Sequence, residues 1–278
     1  MNAPTEISRR DLFDVRDRVV VITGGLGQLG RQFALALAER GAKVAVFDVA
    51  IDEARIAKRF GERAHDEQFL FAEVDVTERE SVQAGLETVI AKWGAPHALV
   101  NNAALDSPPN APAAENGPFE TYPDESWENV MRVNVKGVMH CCQIIGGKMA
   151  EAGRGSIINI SSIYGLVSPD QRLYEYRRRD GATFFKPVAY SVSKSALLNL
   201  TRYLATYWAP HVRVNTLTFA GVFNNQDQEF LKNYNPKVPL GRMANENEYN
   251  GAIIFLVSDA SSYMTGSNLV IDGGFTAW

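Results

Sequence analysis

Val19-Val-Val-Ile-Thr-Gly-Gly-Leu-Gly-Gln-Leu-Gly30 is the stretch whose reading decides the fold. Residues 19–22 form an apolar run without polar alternation, as expected of a strand buried on both faces of a parallel sheet. Gly24, Gly27 and Gly30 follow and open a helical pattern that carries Phe33, Ala34, Leu37 and Ala38 on one face and stops at Gly41. Strand, glycine-rich turn and helix in that order are the context a dinucleotide fingerprint needs. Small residues let the backbone approach a pyrophosphate, and a helix N-terminus offers free N–H groups and the positive end of its dipole. Gly24, Gly27, Gln28, Leu29 and Gly30 are the expected contacts.

Outward from that turn, a second strand over 44–47 ends at Asp48, 18 positions past Gly30. A carboxylate there can accept hydrogen bonds from both adenosine ribose hydroxyls and would repel a 2′-phosphate. Val49-Ala-Ile51 brings no Arg or Lys, so NAD is expected rather than NADP. Capping the next helix is the other use open to Asp48. Further apolar runs lie at 69–71, 98–100, 157–160, 212–214 and 269–271, with helical stretches near 52–60, 78–93, 125–150, 188–208 and 246–258. This alternation predicts an α/β fold: a Rossmann-type, doubly wound, seven-stranded parallel sheet in a single domain. Residues 1–15 read as a polar N-terminal arm and 16–278 as a dinucleotide-binding catalytic domain. Two long loops, 105–124 and 163–187, follow strand carboxyl ends, where such sheets place substrate contacts.

The 278 residues are 46% apolar, enough for one large core, and the net charge is 28 − 32 = −4. No basic block is longer than Arg177-Arg-Arg179, which argues against nucleic acid or an anionic membrane as partner. Adjacent Cys141 and Cys142 in an apolar helical stretch suit core residues in a reducing cytosol better than a disulfide or zinc site. The four His residues lack ligand spacing, and no metal site is expected. Ser8-Arg-Arg-Asp-Leu-Phe13 has the twin arginines of an export signal, but charged Asp14-Val-Arg-Asp-Arg18 stands where an apolar stretch is needed. Export is not expected, nor a membrane span, and the expected location is cytoplasmic.

The chemistry concentrates in Val188-Ala-Tyr-Ser-Val-Ser-Lys194. Tyr190 and Lys194 stand four apart in a helical pattern and so share a face. A phenol beside an ammonium is a proton-transfer device, since nearby positive charge draws the phenol pKa towards neutrality. Asn101-Asn-Ala-Ala104 and Ile158-Asn-Ile-Ser-Ser162 accompany it upstream. Together with the glycine turn, in this order, these motifs resemble the short-chain dehydrogenase/reductase family, from about Arg18 to Trp278.

The resemblance implies an NAD-dependent oxidoreductase with a tetrad. Ser162, with Ser161 as the alternative, would hydrogen-bond the substrate oxygen. Tyr190 would be the general acid/base. Lys194 would lower its pKa and bind the nicotinamide ribose, and Asn134 would hold a water in the proton relay. Asp75-Val76 matches the pair that holds the adenine, and Asn102, Ala103 and Ala104 would flank the cofactor. Val222 and Asn224 match positions that contact the nicotinamide carboxamide. The chain departs from the compact branch at Gln28 and Ala104, where glycine is usual, and at Phe219-Ala220, where Pro-Gly is usual. Thr-Gly-x-x-Gly-x-x-Gly spacing is that of the extended branch of epimerases and dehydratases. Asn101-Asn-Ala-Ala104, the ending Asp272-Gly-Gly274 and the short C-terminal half resemble the compact branch.

Ser162 and Tyr190 are 28 positions apart, about twice the spacing that the resemblance implies. The extra segment runs into the catalytic helix and is expected over the reacting carbon. Tyr164, Tyr174, Arg177, Arg178 and Arg179 are its candidate substrate contacts. A solvated loop whose arginines pair with Asp170, Glu175 and Asp180 is the alternative. Ser162-Ile-Tyr-Gly165, this insertion and the ending Phe275-Thr-Ala-Trp278 are similar to a subgroup found in bacterial surface-sugar pathways. The implied substrate is a small polar secondary alcohol or ketone, sugar-like or anionic. A nucleotide-sugar epimerase or dehydratase that retains NAD, and a non-catalytic dinucleotide sensor, are the other classes. The resemblance further implies a homotetramer or homodimer, with apolar helices near 125–150 and 188–208 offering the surface.

Overall fold

The computed structural model describes residues 11–106, 113–178 and 183–278. Residues 1–10, with the twin arginines, and Arg179 lie outside the described residues. The strands are β1 (Val19–Thr23), β2 (Lys43–Asp48), β3 (Phe69–Glu73), β4 (Ala98–Asn101), β5 (Gly155–Ser162), β6 (Val212–Phe219) and β7 (Asn268–Ile271). They form one sheet in the order β3-β2-β1-β4-β5-β6-β7, parallel at every pairing. The strand order reverses between β1 and β4, which opens a crevice at their carboxyl ends, the usual ligand site of such sheets.

Both faces of the sheet are covered, which is why the strands read as continuous apolar runs. Helices α1 (Gln28–Glu39), α2 (Glu53–Phe60) and α3 (Arg79–Trp93) connect the first four strands. Val20 and Ile22 pack with Phe33 and Leu37 of α1, whereas Val19 and Val21 point the other way, into a layer with Leu86 and Val89 of α3. Each such fully buried aliphatic side chain contributes about 1.5–3 kcal/mol.

A helical run over 124–151 (α4) follows β4, interrupted by π-helical turns at Arg132–Gly137 and Cys142–Gly146. Cys141 and Cys142 are buried in it as free thiols. Beyond β5 come α5 (Val188–Tyr207), α6 (Gln228–Tyr234) and α7 (Asn250–Val257). On α5, Lys194, Leu197, Thr201 and Leu204 form the buried stripe, at three- and four-residue steps.

Three features differ from the sequence reading. Strand β6 extends to Phe219, well past the apolar run 212–214. Its extra residues are polar but satisfied inside: Asn215 Nδ2 donates to the Met264 carbonyl at 2.8 Å, and the Thr216 and Thr218 hydroxyls bond Thr201 and Asn268. The insertion contains a 3-10 turn, Gln171–Arg177, and packs Leu173, Tyr174 and Phe184 against Tyr234, Val238 and Met243. Residues 11–15, expected as part of a polar arm, pack on the domain instead. Val15 is fully buried, Leu12 O accepts from Ala260 N at 2.9 Å, and the Phe13 ring lies 6.3 Å from that of Phe255.

Candidate active site

The glycine turn fits a dinucleotide by what it excludes. Gly24 has φ +61°, and a Cβ there would stand 2.8 Å from Ala103 Cα. At Gly30 a Cβ would stand 2.3 Å from the Gly24 carbonyl oxygen. Thr23 and Asn102 tie this turn to the end of β4. Thr23 Oγ1 accepts from the Asn102 and Ala103 amides at 3.1 Å, and Asn102 Nδ2 donates to the Thr23 and Gly24 carbonyls at 3.0 Å. The Asn102 side chain therefore shapes the turn, a role that Thr23 shares and that its place in the fingerprint could have signalled.

Gln28, at the first position of α1, donates from Nε2 to the Phe223 carbonyl at 2.8 Å. It thereby links the glycine turn to the segment after β6 that carries Val222 and Asn224. Val222 bridges Ala244, and Gln226 braces the segment by accepting from Asn224 N and donating to Val222 O. Leu29 packs against the core, and Ala104 is exposed at the crevice.

Asp48 ends β2 and accepts from the Leu26 amide at 3.0 Å. The cap of α2 is Asp52, which accepts from Arg55 N at 2.8 Å. Capping is thus not the task of Asp48, and its carboxylate stands beside the glycine turn. Asp75 Oδ1 accepts from Thr77 N at 2.8 Å, and Val76 is buried against Gly137.

Ser162, Tyr190 and Lys194 come together at the carboxyl end of β5. The Ser162 hydroxyl stands close enough to the Tyr190 phenol to favour its ionised form. Ser161 Oγ donates to the Lys194 carbonyl at 2.9 Å. Lys194 Nζ donates to Ile160 O at 2.9 Å and lies 5.8 Å from the Tyr190 ring centroid. Burial pulls the Lys194 ammonium down to about 8, with Asp106 opposing. Tyr190 does not follow the expected direction. Burial pushes its phenol up, Asp106 adds to the rise, and the Ser162 hydroxyl acts against it. Desolvation of the phenolate is the largest cause of this rise.

Asn134 sits in the first π turn and is buried. Its side chain accepts from Leu105 N at 2.7 Å and donates to Leu105 O at 2.9 Å and Ser193 Oγ at 3.0 Å. These bonds clamp the loop after β4 against α5. Widened π turns recur at functional sites because they free backbone groups.

The insertion adds Tyr164 and Tyr174, both largely buried, with burial raising both phenols. Arg177 stacks on Phe184 and Arg178 on Phe185, at 4.3 and 4.2 Å. Arg178 also donates to the Phe184 and Gln171 carbonyls, each at 2.9 Å. Two residues that sequence reasoning passed over complete the site: Lys186, whose Nζ lies 4.9 Å from the Tyr190 ring centroid, and Asp106, its ion-pair partner. Among the described residues no group of His, Cys, Asp or Glu could hold a metal ion, and no helix is long and apolar enough to cross a membrane.

A family model described as enoyl-(acyl carrier protein) reductase matches residues 27–276. D-threitol dehydrogenase of Mycolicibacterium smegmatis is 31% identical, with 99% of each chain covered. A short chain dehydrogenase of Leptospira borgpetersenii, solved with bound NAD+, superposes with a TM-score of 0.81 at 30% identity, covering 99% of this chain and 100% of that one. Gluconate 5-dehydrogenase of Burkholderia cenocepacia, solved with NADP and tartrate, gives a TM-score of 0.82 at 28% identity, covering 96% and 98%.

Proposed function

This chain belongs to the short-chain dehydrogenase/reductase family, and from that premise we propose that it interconverts a small polyhydroxylated secondary alcohol and its ketone with NAD. It is an oxidoreductase, and the observation that carries the reading is the buried Lys194 ammonium, 5.8 Å from the Tyr190 ring centroid and bonded to Ile160 O of the strand that ends at Ser162. Bound NAD supplies the hydride acceptor. Ser162 and Tyr190 orient the substrate oxygen, and in the oxidation direction Tyr190 takes the hydroxyl proton. Lys194 stabilises the Tyr190 phenolate that accepts this proton and becomes the phenol. Gly24 and Gly30 would hold the pyrophosphate, and Asp48 the adenosine ribose.

Preference for NAD rests on Asp48, with the exposed, apolar Val49 after it in place of an arginine. Relatives differ on this point, one being solved with NAD+ and another with NADP. The epimerase-like glycine spacing reduces to a single position, Gln28, whose side chain reaches away to Phe223 O. Polyol substrates are favoured by the D-threitol relative. A homo-oligomer is the assembly we propose, since α5 exposes Val192, Tyr203 and Tyr207 along one helix. The proposed compartment is the cytoplasm, where the Cys141 and Cys142 thiols stay reduced.

Incubation with NAD and a panel of tetritols and pentitols tests the reading. NADH should accumulate in step with ketone, and NADH should bind more tightly than NADPH, a preference that Asp48→Ala narrows. Isomerised substrate with no free NADH would favour an epimerase. Equal affinity for the two cofactors would remove Asp48 from the ribose.

A further inference from the structure

We infer that Asp106 and Lys186 form a preorganised acceptor–donor pair that reads a hydroxyl on the carbon next to the reacting one, so that the substrate is a neutral vicinal diol. The inference rests on the dehydrogenase reading above and deepens it.

The pair is built into the site. Lys186 directly precedes the Pro187 cap of the catalytic helix, and its ammonium stands over the Tyr190 ring while bonded to the Asp106 carboxylate. The Lys186 side chain is only 10% exposed, and that of Asp106 51% exposed. An ordinary surface pair is worth little because two long side chains must be held in one geometry. Here a carboxamide grips the backbone at each partner. Gln171 accepts from Lys186 N at 2.8 Å and donates to Lys186 O at 3.2 Å. Asn134 does the same to Leu105, one residue before Asp106, at 2.7 and 2.9 Å. The insertion thus fixes the donor, and the helix after β4 fixes the acceptor.

The charge pattern chooses the ligand. Facing Tyr190 are Lys194 on its own helix, Lys186 before it, Asp106 after β4, Tyr174 from the insertion, and Ser162. Lys194 is committed to Ile160 O, and the Lys186 charge is matched by Asp106. Arg178 is spent on two carbonyls and a ring. An anionic substrate reaching Lys186 would meet the Asp106 carboxylate at hydrogen-bond distance. A hydroxyl meets no such repulsion, because it donates to the carboxylate and accepts from the ammonium at once.

The test uses the full-length protein and substrates on one four-carbon skeleton: the tetritols (erythritol, D- and L-threitol) and butan-2-ol. The quantity read is kcat/KM for the best tetritol divided by that for butan-2-ol. Wild type should favour the tetritol by about tenfold or more, the scale of one charge-assisted hydrogen bond. Lys186→Met and Asp106→Asn should each cut that ratio by about tenfold, chiefly through KM, and Lys186→Arg should restore part of it. A role in folding or in the proton affinity of Tyr190 would lower both substrates together and leave the ratio unchanged, and that outcome overturns the inference. Oxidation of butan-2-ol without any tetritol also overturns it while leaving the dehydrogenase reading intact. No NADH from any alcohol would overturn both.

Discussion

At the residue scale, Lys194 shows how one buried charge sets the working conditions of the site. Its ammonium is lowered from 10.5 to about 8, so between those values the unfolded chain binds more protons than the folded one. Stability therefore rises with pH across that window, and below pH 8 the full cost of burying the charge is present, about 3 kcal/mol. Lys194→Met removes that cost. Urea unfolding should find wild type gaining about 2–3 kcal/mol relative to the variant between pH 7 and pH 10. A difference that stays flat with pH would mean that Lys194 titrates in the folded protein as it does in the unfolded chain. The proposed proton-transfer pair is legible in the sequence because it is tied by local spacing, four positions for Tyr190 and Lys194. Asp106 and Lys186 were not, because their contact spans 80 positions and nothing in either neighbourhood announces it. Ser161 and Ser162 are told apart only by the structure, where the Ser161 hydroxyl donates to the Lys194 carbonyl.

Element by element, the insertion between β5 and α5 was visible as an excess of chain, but its internal wiring was not. Arg178, a candidate substrate contact by its place in the run, holds Gln171 and Phe184 together through their carbonyls. Arg178→Ala should destabilise the fold by about 1–3 kcal/mol, because two buried-side bonds to a charged donor are lost. It should also raise KM by letting Gln171 release Lys186, while NADH affinity stays constant. Thermal unfolding and cofactor titration check this. An unchanged melting temperature with a raised KM would return Arg178 to the substrate. The end of β6 escaped the sequence reading for a different reason. Apolar runs mark strands only where burial is apolar, and here Asn215, Thr216 and Thr218 are buried as a satisfied polar ladder.

Across the whole molecule, the parallel sheet follows from periodicity alone, since seven short apolar runs separated by helical stretches admit few other arrangements. The strand order places β1, β4 and β5 side by side, which brings the glycine turn, Asn102 and Ser162 to one edge of the crevice. Asp48 joins them from β2 and Tyr190 from α5, so residues far apart in sequence become one site because their strands end on one side. The central claim is that this site moves a proton through Tyr190 while the cofactor sits on the glycine turn. Tyr190→Phe removes only the hydroxyl, so the most direct measurement pairs its rate of NADH formation from a polyol with its NADH dissociation constant. The rate should fall by about 10²-fold or more while the dissociation constant stays near that of wild type. A variant that keeps the wild-type rate would contradict the account.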